Sequence, residues 1–95
     1  MTNRLQTEPK MIKLELLGIG SKRYLVLLER LRSVLKKMNL DIPINEIRDI
    51  DRILAYNIIG IPALCVNGEF LYQSDVPNEE ELEQAFQQIL QKTGL

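Results

Sequence analysis

A chain of 95 residues with 45% apolar residues and a formal net charge of −1 has material for one hydrophobic core and lacks the basic excess that holds a phosphate backbone. It contains no histidine and one cysteine, Cys65, which excludes Ser-His-Asp and Cys-His catalysis, histidine metal ligation, an intramolecular disulfide and a multi-cysteine zinc site, so no metal or cofactor is expected. No run approaches the roughly 20 apolar residues of a bilayer span, and the polar residues 1–10 lack the apolar core of a signal peptide, which makes the cytoplasm the expected compartment.

The expected organisation is a flexible leader over residues 1–10 followed by one domain over 11–95. A core of this size leaves a modest stability margin, so a homodimer is an open option. From Met11 to Leu17 the apolar residues Ile12, Leu14 and Leu16 alternate with Lys13 and Glu15, the period of a strand. Gly18 and Gly20 break that pattern, and Ser21 suits the N-cap of the next element. From Tyr24 onward, Leu27, Leu28, Leu31, Val34, Leu35 and Met38 recur at three- and four-residue spacing, which predicts an amphipathic helix. Lys36 and Lys37 suit its negative end, and Asn39 marks its stop.

Leu40 to Ile47 alternates again, with Leu40, Ile42, Ile44 and Glu46 on one side, and Pro43 marks it as an edge or irregular strand. Asp49 then caps a short helix carrying Ile50, Ile53 and Leu54 and ending near Tyr56 to Gly60. The runs Ala63 to Val66 and Phe70 to Gln73 flank Asn67-Gly68, a strong antiparallel hairpin signal. After Pro77, Asn78 with Glu81 forms a capping-box pattern, and Leu82, Phe86, Ile89 and Leu90 line one face of a last helix that closes near Lys92 and Gly94. Glu79, Glu80 and Glu81 favour the positive end of that helix and, with Glu83, balance the basic residues Lys22, Arg23, Lys36 and Lys37, so nucleic acid is not an expected partner.

The order strand, helix, strand, helix, hairpin, helix predicts an α/β fold, βαβ-αββα, with a four-stranded mixed sheet flanked by three helices and a right-handed first crossover. Three local features extend this: the turn Gly18-Ile19-Gly20 after the first strand, Pro62-Ala63-Leu64 before Asn67-Gly68, and Val76-Pro77 before the last helix. Over roughly Met11 to Lys92 the chain resembles the small thioredoxin-like proteins of bacteria and archaea called redox-active disulfide proteins. The resemblance implies a thioredoxin-like fold. In that family the Gly-x-Gly turn runs into Cys-x-x-Cys at a helix start, where the dipole lowers the first thiol's pKa. Here those positions read Ser21-Lys22-Arg23-Tyr24, and neither a serine nor a tyrosine can carry a mixed disulfide. The resemblance thus implies the fold and not the dithiol reaction.

It further implies that Pro62 matches a family proline with a cis peptide bond facing the active site, and that the backbone of Ile61 binds extended peptide by strand addition. The plainer alternative is a trans proline opening a strand. Ser21 is an N-cap or a contact for a partner or small anion at the Gly20 to Arg23 turn. Tyr24 is an interface anchor or the first core residue of its helix. Glu69 and Asp75 read as solvated turn charges. The leading functional expectation is a non-catalytic binding module whose protein or peptide partner contacts Lys22, Arg23, Tyr24, Ile61 and Pro62. A monothiol enzyme or redox sensor using Cys65 is the alternative, although a cysteine in a short apolar strand is most simply buried.

Overall fold

The fold, taken from a computed structural model, is described for residues 12–92. The expected leader, Met11 and residues 93–95, with Gly94 among them, lie outside that range. The elements in chain order are β1 (Leu14–Leu17), α1 (Lys22–Lys37), β2 (Ile44–Ile47), α2 (Ile50–Ala55), β3 (Ala63–Val66), β4 (Glu69–Gln73) and α3 (Glu79–Lys92). The sheet runs β2-β1-β3-β4, with β1 and β2 parallel and the other two pairs antiparallel. This is the mixed four-stranded α/β arrangement that the sequence predicts.

Alternation along the strands divides the interior into two layers. Leu14 and Leu16 of β1 and Leu64 and Val66 of β3 point to one face, where they meet Tyr24, Leu27, Leu31 and Val34 of α1 and Leu82 and Phe86 of α3. Leu17, Ala63 and Cys65 point to the other, under Ile53 of α2 with Tyr56, Ile58, Ile61 and Phe70 around them. Both faces of β1 are therefore covered, and all four of its residues are buried, Glu15 included at 6% exposure. An alternating pattern cannot reveal this, because the second layer comes from residues about 40 positions away in sequence.

β1 is shorter than the expected Met11 to Leu17. Before it, Lys13 is held by the hairpin turn: its amide donates to Asn67 Oδ1 at 2.8 Å and its carbonyl accepts from the Asn67 amide at 2.8 Å. β2 is likewise confined to Ile44–Ile47 at the sheet edge, since Pro43 just before it brings no N–H to a ladder. Ile42 nonetheless packs into the first layer. In the β3–β4 turn Asn67 and Gly68 both have positive φ, 53° and 85°, the requirement of a primed hairpin turn. β4 starts one residue earlier than expected, at Glu69, and its ladder is interrupted between Leu64 and Cys65.

The caps follow the sequence signals. Asp49 Oδ2 accepts from the Arg52 amide at 3.1 Å, and Asn78 and Glu81 exchange reciprocal bonds of 2.8 and 2.9 Å. Asn39 closes α1 at φ 61°, a left-handed conformation that asparagine tolerates. α2 is the short helix expected after Asp49, and it buries little. Only Ile53 is buried, while Ile50 and Leu54 are 50% and 71% exposed, because a six-residue helix presents little more than one position to the sheet. Replacing Phe86 with alanine should cost about 3–5 kcal/mol in denaturant unfolding, whereas Leu54→Ala should stay within about 0.5 kcal/mol of the parent.

Candidate functional site

The C-terminal end of β1, the start of α1 and the loops on either side of the β3–β4 hairpin form the candidate site. Its geometry begins with two glycines. A Cβ on Gly18 would lie 2.2 Å from Cδ1 of Tyr24, so only glycine lets that ring pass. Gly20 has φ +86°, and a Cβ there would meet the Arg48 guanidinium at 2.2 Å. Ser21 follows as the N-cap of α1, its Oγ accepting from the Tyr24 amide at 3.3 Å. Ser21, Lys22 and Arg23 are all exposed.

Tyr24 has no solvent-exposed surface. Its ring belongs to the layer beneath α1, its hydroxyl donates to Glu46 Oε1, and the Arg48 guanidinium sits 5.4 Å from the ring centroid. The choice left open for this residue is therefore settled by its burial: it is core, and the expectation that it forms part of a contact surface is corrected. The spacing to Leu27 and Leu28 was the available signal. Burial, then the hydrogen bond to Glu46 and the charge of that carboxylate, push the Tyr24 hydroxyl well above the usual phenol range. Glu46 is held in turn by Arg32 Nη2 at 3.8 Å.

Across from this turn the Ile61-Pro62 peptide bond is cis, with Pro62 buried and Ile61 half-buried. Ser74 joins the two sides. Its amide donates to the Pro62 carbonyl at 2.9 Å, and its own carbonyl accepts from Nη2 of Arg23. Ser74 adopts φ 64°, and a Cβ on Gly60 would fall 1.7 Å from its Oγ, so the backbone before Ile61 packs directly on it. Two helical turns further along α1, Arg30 Nη1 donates to the carbonyls of Val76 and Pro77 at 3.1 and 3.0 Å. Ser74, Arg30, Arg48 and Glu46 were missed in the sequence reading, because each acts through a partner at least 22 residues away or through a single backbone angle. Around the site Ile19 and Ile59 are exposed at 54% and 88%.

Cys65 lies away from the α1 start. It is 1% exposed, in the layer covered by α2, and stands opposite Glu15 across the β1–β3 ladder. The Tyr56 hydroxyl donates to Glu15 Oε2 at 2.8 Å, and Lys13 Nζ approaches the same oxygen at 3.8 Å. Burial first, and then the neighbouring Glu15 charge, push the Cys65 thiol up, away from the thiolate that nucleophilic chemistry uses. Among the described residues no group of histidine, cysteine, aspartate and glutamate side chains could hold a metal ion, and no helix is long and apolar enough to cross a membrane.

Two outcomes test this geometry. Gly18→Ala should destabilise the fold by about 1–3 kcal/mol through overpacking, and the penalty should shrink in a Tyr24→Ala background, a coupling that a double-mutant cycle in denaturant measures. An unfolded tyrosine loses its proton near pH ~10. The folded chain holds the Tyr24 proton more tightly, so its contribution is intact below that pH and is lost as the pH rises. The unfolding midpoint should therefore fall above pH ~10, and fall less in Tyr24→Phe.

The Thioredoxin domain family model matches residues 13–87. The protein named Thioredoxin from Methanothermobacter thermautotrophicus is 28% identical over 72 residues, a stretch covering 76% of this chain and 94% of that protein. The matched span runs from just before β1 into α3 and includes both sides of the candidate site. With its βαβ-αββα order, its Gly-x-Gly turn at the start of α1 and its proline before β3, this chain belongs to the thioredoxin domain family.

Proposed function

We propose that the domain is a non-catalytic thioredoxin-like module that binds an extended segment of a protein partner at the surface formed by Ser21, Lys22, Arg23 and Ile61, with Pro62, buried and so corrected from the expected contact set, supporting it from beneath. The observation that carries this reading is the bonded link Arg23–Ser74–Pro62, which holds the α1 start against the proline loop although the single thiol of the chain lies elsewhere. A scaffold that positions a surface without a nucleophile is suited to recognition. The Ile61 backbone supports it further: among the described residues neither its amide nor its carbonyl has a hydrogen-bond partner, which is what strand addition requires of a receiving edge.

The competing reading, a monothiol enzyme or redox sensor, needs an accessible and readily ionised Cys65. Its 1% exposure and raised pKa count against that role.

Photocrosslinking should capture a partner with the parent chain and with Ile50→Arg, an exposed site on α2, and should lose it with Ile61→Arg when thermal unfolding shows that variant folded. Equal capture by Ile61→Arg would place the binding surface elsewhere. A chromogenic disulfide reagent should modify Cys65 at least about a hundredfold more slowly in the native chain than in denaturant, because reaction must await local opening. Prompt native modification would favour the monothiol reading.

A further inference from the structure

Beside the Arg23–Ser74 link, α1 and the segment 74–77 enclose a shallow groove of about 380 Å³ lined by Lys22, Arg23, Val26, Arg30 and Val76. Lys22, Val26 and Arg30 are four residues apart and so form one line along α1, with Arg23 flanking it. Val26 and Val76 are half-buried and give the groove an apolar floor.

The three cations of this groove lack carboxylate partners. Arg23 and Arg30 donate only to main-chain carbonyls, and no ion pair involves either of them or Lys22 among the described residues. Of the other basic residues, Arg32 pairs with Glu46, Lys37 with Glu79 and Glu83, and Lys13 with Glu15, while Lys36, Arg48, Arg52 and Lys92 also form no ion pair among the described residues but do not line this groove. The first turn of α1 also has no acidic residue, so the positive end of the helix dipole adds to the same field. In a chain of net charge −1, this groove brings three cations without carboxylate partners together against one apolar floor.

We propose, resting on the binding reading above, that the partner segment is acidic and carries an apolar side chain between its carboxylates, the apolar group seated on Val26 and Val76 and the carboxylates facing Lys22, Arg23 and Arg30. A long polyanion fits less well. The adjoining depression shares Val76 but is lined by Asp75 and Glu81 with Tyr72 and Pro77, so positive charge ends at Val76. A short acidic segment meets the cations without running into those carboxylates.

Fluorescence anisotropy with a short labelled peptide of alternating Glu and Leu, and with its Gln-for-Glu counterpart, tests the proposal. At low ionic strength the acidic peptide should bind roughly tenfold more tightly, and that gap should close in molar salt, where the Debye length falls to about 3 Å. Lys22→Glu should erase the preference. Among the described residues Lys22 has no partner to lose, and a glutamate in the first helical turn is compatible with the dipole, so this variant should remain folded. Equal affinity for both peptides, lost in Ile61→Arg, would overturn the acidic-partner inference while leaving the binding reading standing. Failure of both peptides to bind would count against the inference, and against the binding reading too if the crosslinking with Ile61→Arg also shows no effect.

Discussion

The Tyr24 ring occupies the space that a side chain on Gly18 would fill, and that exclusion fixes where α1 begins. With the ring seated, its hydroxyl reaches Glu46 of β2 and its face meets Arg48, so one aromatic residue ties the ends of β1 and β2 to the first turn of the helix. The Ser21 cap, and the outward direction of Lys22 and Arg23, follow from it. Arg23 can then span to the Ser74 carbonyl, and Ser74 carries the constraint on to Pro62. The candidate surface is thus a consequence of packing beneath it, and a polar side chain at position 24 would loosen both of its halves.

How much of this could be read from the chain depended on whether the decisive contacts were local. α1 and α3 were legible because their apolar residues repeat at helical spacing, and the Asn78–Glu81 capping box and the Asn67-Gly68 turn each act within four residues. Glu15 was not legible as a buried residue. Its burial comes from Tyr56 and α2, on a layer that alternation within β1 cannot show. Which residue of α2 is buried was not legible either, since helical spacing predicts a face only when the helix is long enough to have one. At the site, Ser21 as a cap and Cys65 as a buried strand residue were within reach of sequence reasoning. Ser74 was not, because its role rests on a positive φ and on a carbonyl that faces Arg23 across 51 residues of sequence.

Two polar arrangements on the two sides of the sheet divide the chemistry of the molecule. Under α2, Cys65 and Glu15 are sealed together, and a carboxylate beside a buried thiol opposes ionisation of that thiol. Along the first half of α1, Arg23 and Arg30 donate to main-chain carbonyls and, among the described residues, to no carboxylate. A thioredoxin fold places its reactive cysteine pair at such a helix start, where the dipole favours a thiolate. In this chain Ser21 caps that helix start and Tyr24 is buried behind it, and on the proposed binding reading the dipole and the neighbouring cations face a bound partner's negative charge.

The central claim, recognition without thiol chemistry, is tested most directly by turnover of a protein disulfide in the presence of excess reductant, comparing the parent chain with Cys65→Ala. The account predicts that neither accelerates reduction above the uncatalysed rate. Acceleration by the parent that disappears in a folded Cys65→Ala variant would contradict it.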